Sequence, residues 1–262
     1  MTTMHYIVSL SGGVASAVAA ERAIQRYGRD SVTLWFANTL AEDEDTYRFL
    51  LDCQTRWGGA IVDYTDGRTP LQVAEDKQII PNQRIAPCTL ELKIKPFRRF
   101  LAEVPKPITV LLGLGWNEQH RMDRPKANYE AIEGVTVDYP LMWKPLEYRP
   151  YQEVVRNDWG IEPPRAYALG FRHNNCLQHG CVKQGVGDWE RFKFAFPDRF
   201  ARTRDWEQAQ RAKGGARATY AICRDSRGGD VKPLTLAEIE LRAERPDDAE
   251  GQDDMFACMC SY

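Results

Sequence analysis

Residues 6–28 read YIVSLSGGVASAVAAERAIQRYG, and this stretch decides the fold. Its first five residues are mostly apolar and run into a glycine loop, which is the pattern of a short buried strand. Residues 15–27 are rich in alanine, carry apolar positions at helical spacing and end at Gly28. The order of strand, glycine loop and helix predicts one βα unit.

The rest of the first half repeats this alternation. Further strands are predicted at residues 32–38, 60–64 and 109–113, and helices at 42–57, 70–76 and 90–103. Strands that alternate with helices predict an α/β, Rossmann-like parallel sheet with helices on both faces. Ligands of such sheets bind at the carboxyl ends of the strands, where the glycine loop, Asn38-Thr39 and Gly113-Leu114-Gly115 all fall.

The composition of the sequence changes near residue 150. After this point Arg, Asp, Trp and Gly are frequent and the periodicity of apolar residues weakens. We therefore predict two parts, an α/β domain over residues 1–150 and a C-terminal extension over residues 151–262. Helical patterns in the extension cover residues 151–159, 189–196 and 233–245, and residues 224–230 form a polar turn.

Composition restricts the class of protein. The net charge of the 262 residues is -2, which gives no bulk attraction to nucleic acids or membranes. No apolar stretch approaches the roughly 20 residues of a membrane span, and the N-terminus lacks the features of a signal peptide. We expect a cytoplasmic protein, in which seven cysteines favour thiol, metal or redox chemistry over disulfides. The oligomeric state is left open.

The glycine loop is a candidate phosphate site. A glycine pair lets successive backbone N–H groups point at an anion, and the following helix adds the partial positive charge of its N-terminus. There is no Gly-Lys-Ser/Thr, so this is not a Walker loop. The alternative is a structural turn of small residues. The predicted phosphate-binding residues are Ser9, Ser11, Gly12, Gly13, Val14 and Ser16.

The segment Ser11-Gly12-Gly13-Val14-Ala15-Ser16 resembles the Ser-Gly-Gly-x-Asp-Ser PP-loop of the adenine nucleotide α-hydrolase-like superfamily. Three later segments, FANTLAEDEDTYRFL at 36–50, CTLELKIKPF at 88–97 and LGLGWNEQHR at 112–121, resemble its phosphoadenosine phosphosulfate (PAPS) reductase branch. The ordered set covers roughly residues 6–125. The resemblance implies a HUP-type Rossmann-like fold that binds ATP or a related adenine nucleotide with Mg²⁺.

The resemblance also implies roles for individual residues. Asn38 and Thr39 would lie near the adenosine, and Gly113 and Gly115 would belong to the nucleotide site. The implied catalytic residues are Cys88, Lys93 and Arg121. Lysine and arginine there could meet phosphate or sulfate, with arginine offering a bidentate fork. For Arg121, together with Arg124 and Lys126, a basic surface run is the alternative.

This chain departs from the PP-loop pattern at Ala15, where the family has aspartate. Glu42 or Asp43 could instead supply a carboxylate for Mg²⁺. Alternatively, both are solvated acids in the first turn of a helix, where the helix dipole favours them.

The late cysteines fall into two close pairs, Cys176 with Cys181 and Cys258 with Cys260. Two such pairs are the outline of a four-thiolate site for Zn²⁺ or an iron–sulfur cluster. The alternative is four unrelated cysteines, and by resemblance the tail pair could be redox thiols. Cys88 could be a ligand, a nucleophile or a buried small residue.

Three functions follow. The first is an enzyme that acts at a nucleotide phosphate by nucleotidyl activation, with or without sulfur transfer. The second is a sulfonucleotide reductase that uses cysteine thiols. The third is a nucleotide-binding module without turnover. A nucleic acid could be the acceptor, because basic stretches lie near Arg98-Arg99 and at residues 191–204.

Overall fold

The computed structural model describes residues 4–144, 149–225 and 230–242. Its centre is a parallel sheet with the strand order β3-β2-β1-β4-β5. The strands are β1 (His5–Leu10), β2 (Val32–Asn38), β3 (Val62–Thr65), β4 (Ile108–Leu112) and β5 (Val135–Asp138). The predicted α/β, Rossmann-like fold is confirmed. The strand order reverses between β1 and β4, and such a switch point opens a crevice at the carboxyl ends of the strands.

Helices follow the strands. The first half contains α1 (Val14–Tyr27), α2 (Glu44–Trp57), α3 (Pro70–Asp76), α4 (Lys95–Glu103) and α5 (Asp123–Glu130). The second half contains α6 (Tyr151–Glu153), α7 (Arg165–Ala168), α8 (Val186–Ala195), α9 (Pro197–Ala212) and α10 (Leu236–Glu240), and the hairpin of β6 (Cys223–Asp225) and β7 (Lys232–Leu234). The chain also has two π-helical segments. Thr89–Ile94 continues into α4, and Val154–Asp158 follows α6.

Alternate residues of the strands pack into two hydrophobic cores, one on each face of the sheet. Val8 and Leu34 pack with α1 and α2, whereas Ile7 and Val110 pack with Phe97 and Leu101 of α4. Both faces are therefore covered, which explains why the central strands read as continuous apolar runs.

The second half builds a third core around Trp189, Phe192 and Phe200 of α8 and α9. Ile80, from the segment after α3, packs into this core. In the opposite direction, residues 154, 155 and 161 pack into the core around α1. The division at residue 150 stays a prediction, and apolar contacts cross it in both directions.

The sequence did not predict β5, the helices α5, α7 and α9, or the β6–β7 hairpin. The buried face of α9 contains Thr203, Glu207 and Gln210, so its apolar periodicity is weak. Glu207 is fully buried because it accepts hydrogen bonds from the backbone N–H groups of Ile222 (2.7 Å) and Leu236 (2.6 Å). Within the described part of the chain, no helix has the length and apolarity needed to cross a membrane.

Candidate nucleotide-binding site

A cleft of about 440 Å³ lies at the carboxyl edge of the sheet, at the switch point between β1 and β4. The loop after β1 and the loop after β4 form two of its walls, and residues 172–176 and 181 from the second half form another. Its volume is within the range of sites for small molecules.

The glycine loop has a backbone that only glycine can adopt without strain. Gly12 has a φ of +77°, and a Cβ there would lie 2.5 Å from Cγ2 of Thr46. At Gly13 a Cβ would lie 3.0 Å from the hydroxyl of Tyr167. The loop therefore packs closely against both α2 and the second half of the chain.

The serines hold the loop in shape. The Ser16 hydroxyl donates to the carbonyl of Gly13 at 2.9 Å and accepts from the backbone N–H of Ser11 at 3.1 Å. The Ser11 hydroxyl donates to the Ser16 oxygen at 3.1 Å. Because Ser16 is only 2% exposed, its hydroxyl serves the loop conformation.

The loop after β4 approaches the start of α1 very closely. A Cβ at Gly113 would lie 2.8 Å from Cα of Ser16, a backbone atom that no rotamer change could move away. Gly113 therefore lets the two loops meet at the floor of the cleft.

The second half closes over the glycine loop through two side chains. The backbone N–H of Val14 donates to the hydroxyl of Tyr167 at 3.2 Å. The Asn174 carboxamide donates to the carbonyl of Gly12 and to the hydroxyl of Thr46, both at 2.9 Å. The candidate site is therefore composite, with the phosphate loop from the first half and a cover from the second.

Cationic side chains outnumber acidic ones around the cleft. Four of its lining residues are cationic and two are acidic: Lys93, Arg121, Arg149 and Arg172 against Glu42 and Glu118. Arg121 forms an ion pair with Glu118, and Arg149 pairs with Asp158 at 2.9 Å. The excess of positive charge favours an anionic ligand.

Glu42 and Asp43, just before α2, are buried, so the alternative that both are solvated acids is wrong. Asp43 is 1% exposed, and its Oδ2 lies 2.6 Å from guanidinium nitrogens of both Arg165 and Arg199. Because its carboxylate already binds these two arginines, Asp43 is not a suitable Mg²⁺ ligand. Glu42 is 3% exposed, accepts from the Thr39 hydroxyl at 2.9 Å and lines the cleft.

Two of the late thiols face this cleft. Cys176 and Cys181 are both buried in its wall. The Cys176 sulfur lies 3.5 Å from the Thr39 hydroxyl and 3.9 Å from Oε1 of Glu42. Cys88 does not line the cleft and packs, partly buried, against the third core. The thiols of Cys176 and Cys181 therefore line the same cleft as the glycine loop, whereas Cys88, to which the resemblance gives a catalytic role, does not.

The other two described cysteines are core residues, as expected. Cys53 and Cys223 are fully buried, and burial raises the pKa of each thiol to about 12. Neither is suited to reaction as a thiolate at neutral pH.

The predicted four-thiolate site stays a prediction. Cys258 and Cys260 lie outside the described residues. Among residues 4–144, 149–225 and 230–242, no group of three or more His, Cys, Asp and Glu side chains is arranged to hold a metal ion. His179 is buried with its Nδ1 2.7 Å from the Gly180 carbonyl, and burial lowers its pKa.

Most of the predicted site residues meet at the cleft. Those that line it are Ser11, Gly13, Val14, Ser16, Glu42, Lys93, Gly113, Gly115, Arg121, Cys176 and Cys181. Ser9 and Lys93 line a small adjacent cavity. Asn38 and Thr39 do not line the cleft. Asn38 Oδ1 accepts from the backbone of Leu40 (3.0 Å) and from the hydroxyl of Tyr47 (2.8 Å).

Sequence reasoning missed Arg149, and from the second half Tyr167 and Arg172, which all line the cleft. No sequence signal marks Tyr167, since it meets the loop 153 residues away. Arg172 stands beside His173 and Asn174 in a polar turn before Cys176, and that turn was the available signal.

The fold and site define a class: α/β proteins with a parallel sheet and an anion-favouring cleft at the switch point. Among solved structures, phosphoadenylyl-sulfate (PAPS) reductase from Candida auris, determined as a phosphate complex, is similar to this chain. The sequence identity is 16%, the TM-score is 0.45, and the match covers 67% of this chain and 82% of that one. This likeness concerns the fold alone. No protein-family model matches the chain, and no curated protein matches it in sequence.

Proposed function

We propose that the chain is an enzyme that binds an adenine nucleotide in this cleft and acts at its phosphate end. One observation carries the proposal: a single cleft combines the glycine loop, four cationic side chains and two thiols. A nucleotide has a polyanionic end that suits the loop and the cations. The reaction would be nucleotidyl activation of an acceptor, with or without sulfur transfer.

The chemistry follows from the wall residues. The N-terminus of α1 favours negative charge, because its first N–H groups have no partner within the helix. Lys93 and Arg121 would stabilise the charge that develops on the phosphate oxygens as a bond breaks. If Mg²⁺ takes part, it would neutralise phosphate charge, and Glu42 is the buried carboxylate of the cleft that could hold it.

Sulfonucleotide reduction is the second candidate, and the position of Cys176 favours it. A thiolate there would attack the sulfur of a phosphosulfate. The bond between that sulfur and the bridging oxygen would break, the electron pair would leave with the phosphate, and the sulfonate would remain on the cysteine. A second thiol, supplied by an added dithiol reductant, would then attack the cysteine sulfur, form a disulfide with it and release sulfite. The Thr39 hydroxyl lies 3.5 Å from the Cys176 sulfur, and it would stabilise the thiolate only by turning its single proton away from Glu42.

The test is a matched pair of lysine variants. Calorimetric titration with ATP and with adenosine 5′-phosphosulfate measures affinity, and assays for pyrophosphate and sulfite measure turnover. Lys93→Ala should weaken binding about 10-fold, since a charge-assisted contact is worth about 1.5 kcal/mol or more. Lys95→Ala is the control, because Lys95 is half exposed and pairs with Glu91 at 3.0 Å.

The outcomes separate the candidates. Pyrophosphate release supports nucleotidyl activation, and sulfite release supports the reductase. Binding without either product supports a non-catalytic module and contradicts an enzyme acting on nucleotides alone. Turnover that needs added tRNA or DNA identifies a nucleic-acid acceptor. Absence of nucleotide binding overturns the proposal.

A further inference from the structure

Trp116 is the large aromatic side chain that the cleft leaves most exposed. It lies in the loop after β4, lines the cleft and is 36% exposed. The two tyrosines of the cleft, Tyr151 and Tyr167, are partly buried and pack against the core around α1. Trp116 belongs to none of the three cores that the described residues form. Packing therefore does not explain why an indole stands in a cleft that is rich in charge.

The indole ring is held at one edge. Its Nε1 donates to the carbonyl of Lys144 at 3.0 Å, which restricts rotation of the ring. Among residues 4–144, 149–225 and 230–242, no other aromatic ring stacks on it. The ring is therefore positioned in advance and has room for a planar partner.

Trp116 also lies close to the phosphate loop along the chain. A Cβ at Gly113 would lie 2.8 Å from Cα of Ser16 in α1, and Trp116 follows Gly113 by three residues. Three residues span at most about 11 Å, which is about the length of a nucleoside. A nucleotide with its phosphates on the glycine loop could therefore reach Trp116 with its base.

We infer that Trp116 stacks on the base of the bound nucleotide. The inference deepens the proposed function and rests on it. Every nucleobase has a π-face, and aromatic side chains bind bases by stacking on that face in an offset arrangement. The glycine loop would hold the polyanionic end of the ligand, and Trp116 would distinguish a nucleotide from a simple polyphosphate.

The charges of the cleft restrict what the indole can bind. A tryptophan ring attracts cations as well as planar rings. Four cationic side chains line the cleft against two acidic ones, so a cationic group on the ligand is disfavoured. The remaining partner is an uncharged planar ring on an otherwise anionic molecule, which is the composition of a nucleotide.

A comparison of ATP with inorganic tripolyphosphate tests the inference, because tripolyphosphate has the phosphate chain but no base. Calorimetry measures both affinities. Trp116→Ala should bind ATP about 10-fold more weakly than the wild type, as expected for the loss of one base stack, and should bind tripolyphosphate unchanged. The fluorescence of Trp116, obtained as the difference between wild type and Trp116→Phe, should change with ATP and not with tripolyphosphate.

Further variants separate stacking from folding. Trp116→Phe keeps a ring without the N–H group, so it should lose less ATP affinity than Trp116→Leu, which keeps apolar bulk without a ring. Circular dichroism and thermal melting check folding, and the leucine variant replaces the alanine variant if that variant unfolds. Phe194→Ala is the control, because Phe194 is exposed and does not line the cleft. It should bind both ligands as the wild type does.

The inference is overturned if Trp116→Ala, or Trp116→Leu in its place, binds ATP as tightly as the wild type. It is also overturned if that variant loses affinity for ATP and tripolyphosphate equally, since Trp116 would then support the phosphate loop rather than the base. Failure of the wild type to bind ATP instead shows that the proposed function has failed, and the inference fails with it.

Discussion

The Asp43 carboxylate lies 2.6 Å from Arg165 and 2.6 Å from Arg199, and it joins the start of α2 to two helices of the second half. The same carboxylate caps α2 by accepting from the backbone of Asp45 at 3.0 Å. Arg199 also donates to the carbonyl of Leu177 at 3.2 Å, one residue after Cys176. This group of charges, centred on the buried Asp43, therefore helps to position the segment that covers the cleft.

Asp43→Asn should destabilise the protein by about 1–3 kcal/mol, because a neutral amide at this buried position leaves Glu44 alone to balance the charges of Arg165 and Arg199. Urea unfolding measures the change. Glu44→Gln is the control. Its carboxylate binds Arg199 at 2.8 Å but is 64% exposed, so the expected loss is below about 1 kcal/mol. Equal losses for the two variants would contradict a special role for Asp43.

The contribution of Glu44 should depend on pH. Hydrogen bonds from its own backbone and from Arg199 lower the pKa of its carboxyl from 4.5 to about 2. A carboxyl whose pKa is lowered by folding stabilises the fold above its unfolded pKa, and this contribution is lost as the pH falls towards the folded pKa. The difference in unfolding free energy between wild type and Glu44→Gln should be present at pH 6 and shrink from about pH 5 to pH 2. A difference that grows on acidification would contradict the prediction.

Gly12→Ala should abolish nucleotide binding and lower stability by about 1–3 kcal/mol, since the new methyl group meets Thr46 and the left-handed backbone is strained. Gly160→Ala is the matched control. Gly160 also has a positive φ, +68°, but no atom lies within 4 Å of its Cβ position. The control should lose on the order of 1 kcal/mol and bind nucleotide normally. Titration with ATP and urea unfolding measure both effects.

Metal analysis tests the four-thiolate prediction. Protein purified without oxygen should contain about one zinc per chain, or iron and sulfide with absorption near 400 nm. Cys176→Ser and Cys258→Ser should each lose most of this metal, whereas Cys223→Ser, which alters a core thiol, should keep it. Wild-type protein without metal would contradict the site and make the tail cysteines candidate redox thiols.

Sequence patterns predicted the part of the site that the chain builds locally. The strand β1, the glycine loop and α1 are consecutive, so their apolar pattern and glycines reveal them directly. The resemblance in the later segments placed Lys93, Gly113, Gly115 and Arg121, which do line the cleft. It also implied a role for Cys88 there, and that residue packs against the third core instead.

The sequence by itself determined the α/β alternation and the phosphate-binding candidate, because these depend on neighbours within a few residues. Only the tertiary structure decided that Tyr167 and Asn174 cover the glycine loop, 153 and 162 residues away from their partners. It also decided that Asp43 is buried between two arginines rather than solvated. Periodicity reports which side of an element is apolar, but such polar contacts depend on how distant elements pack, and no local pattern encodes them.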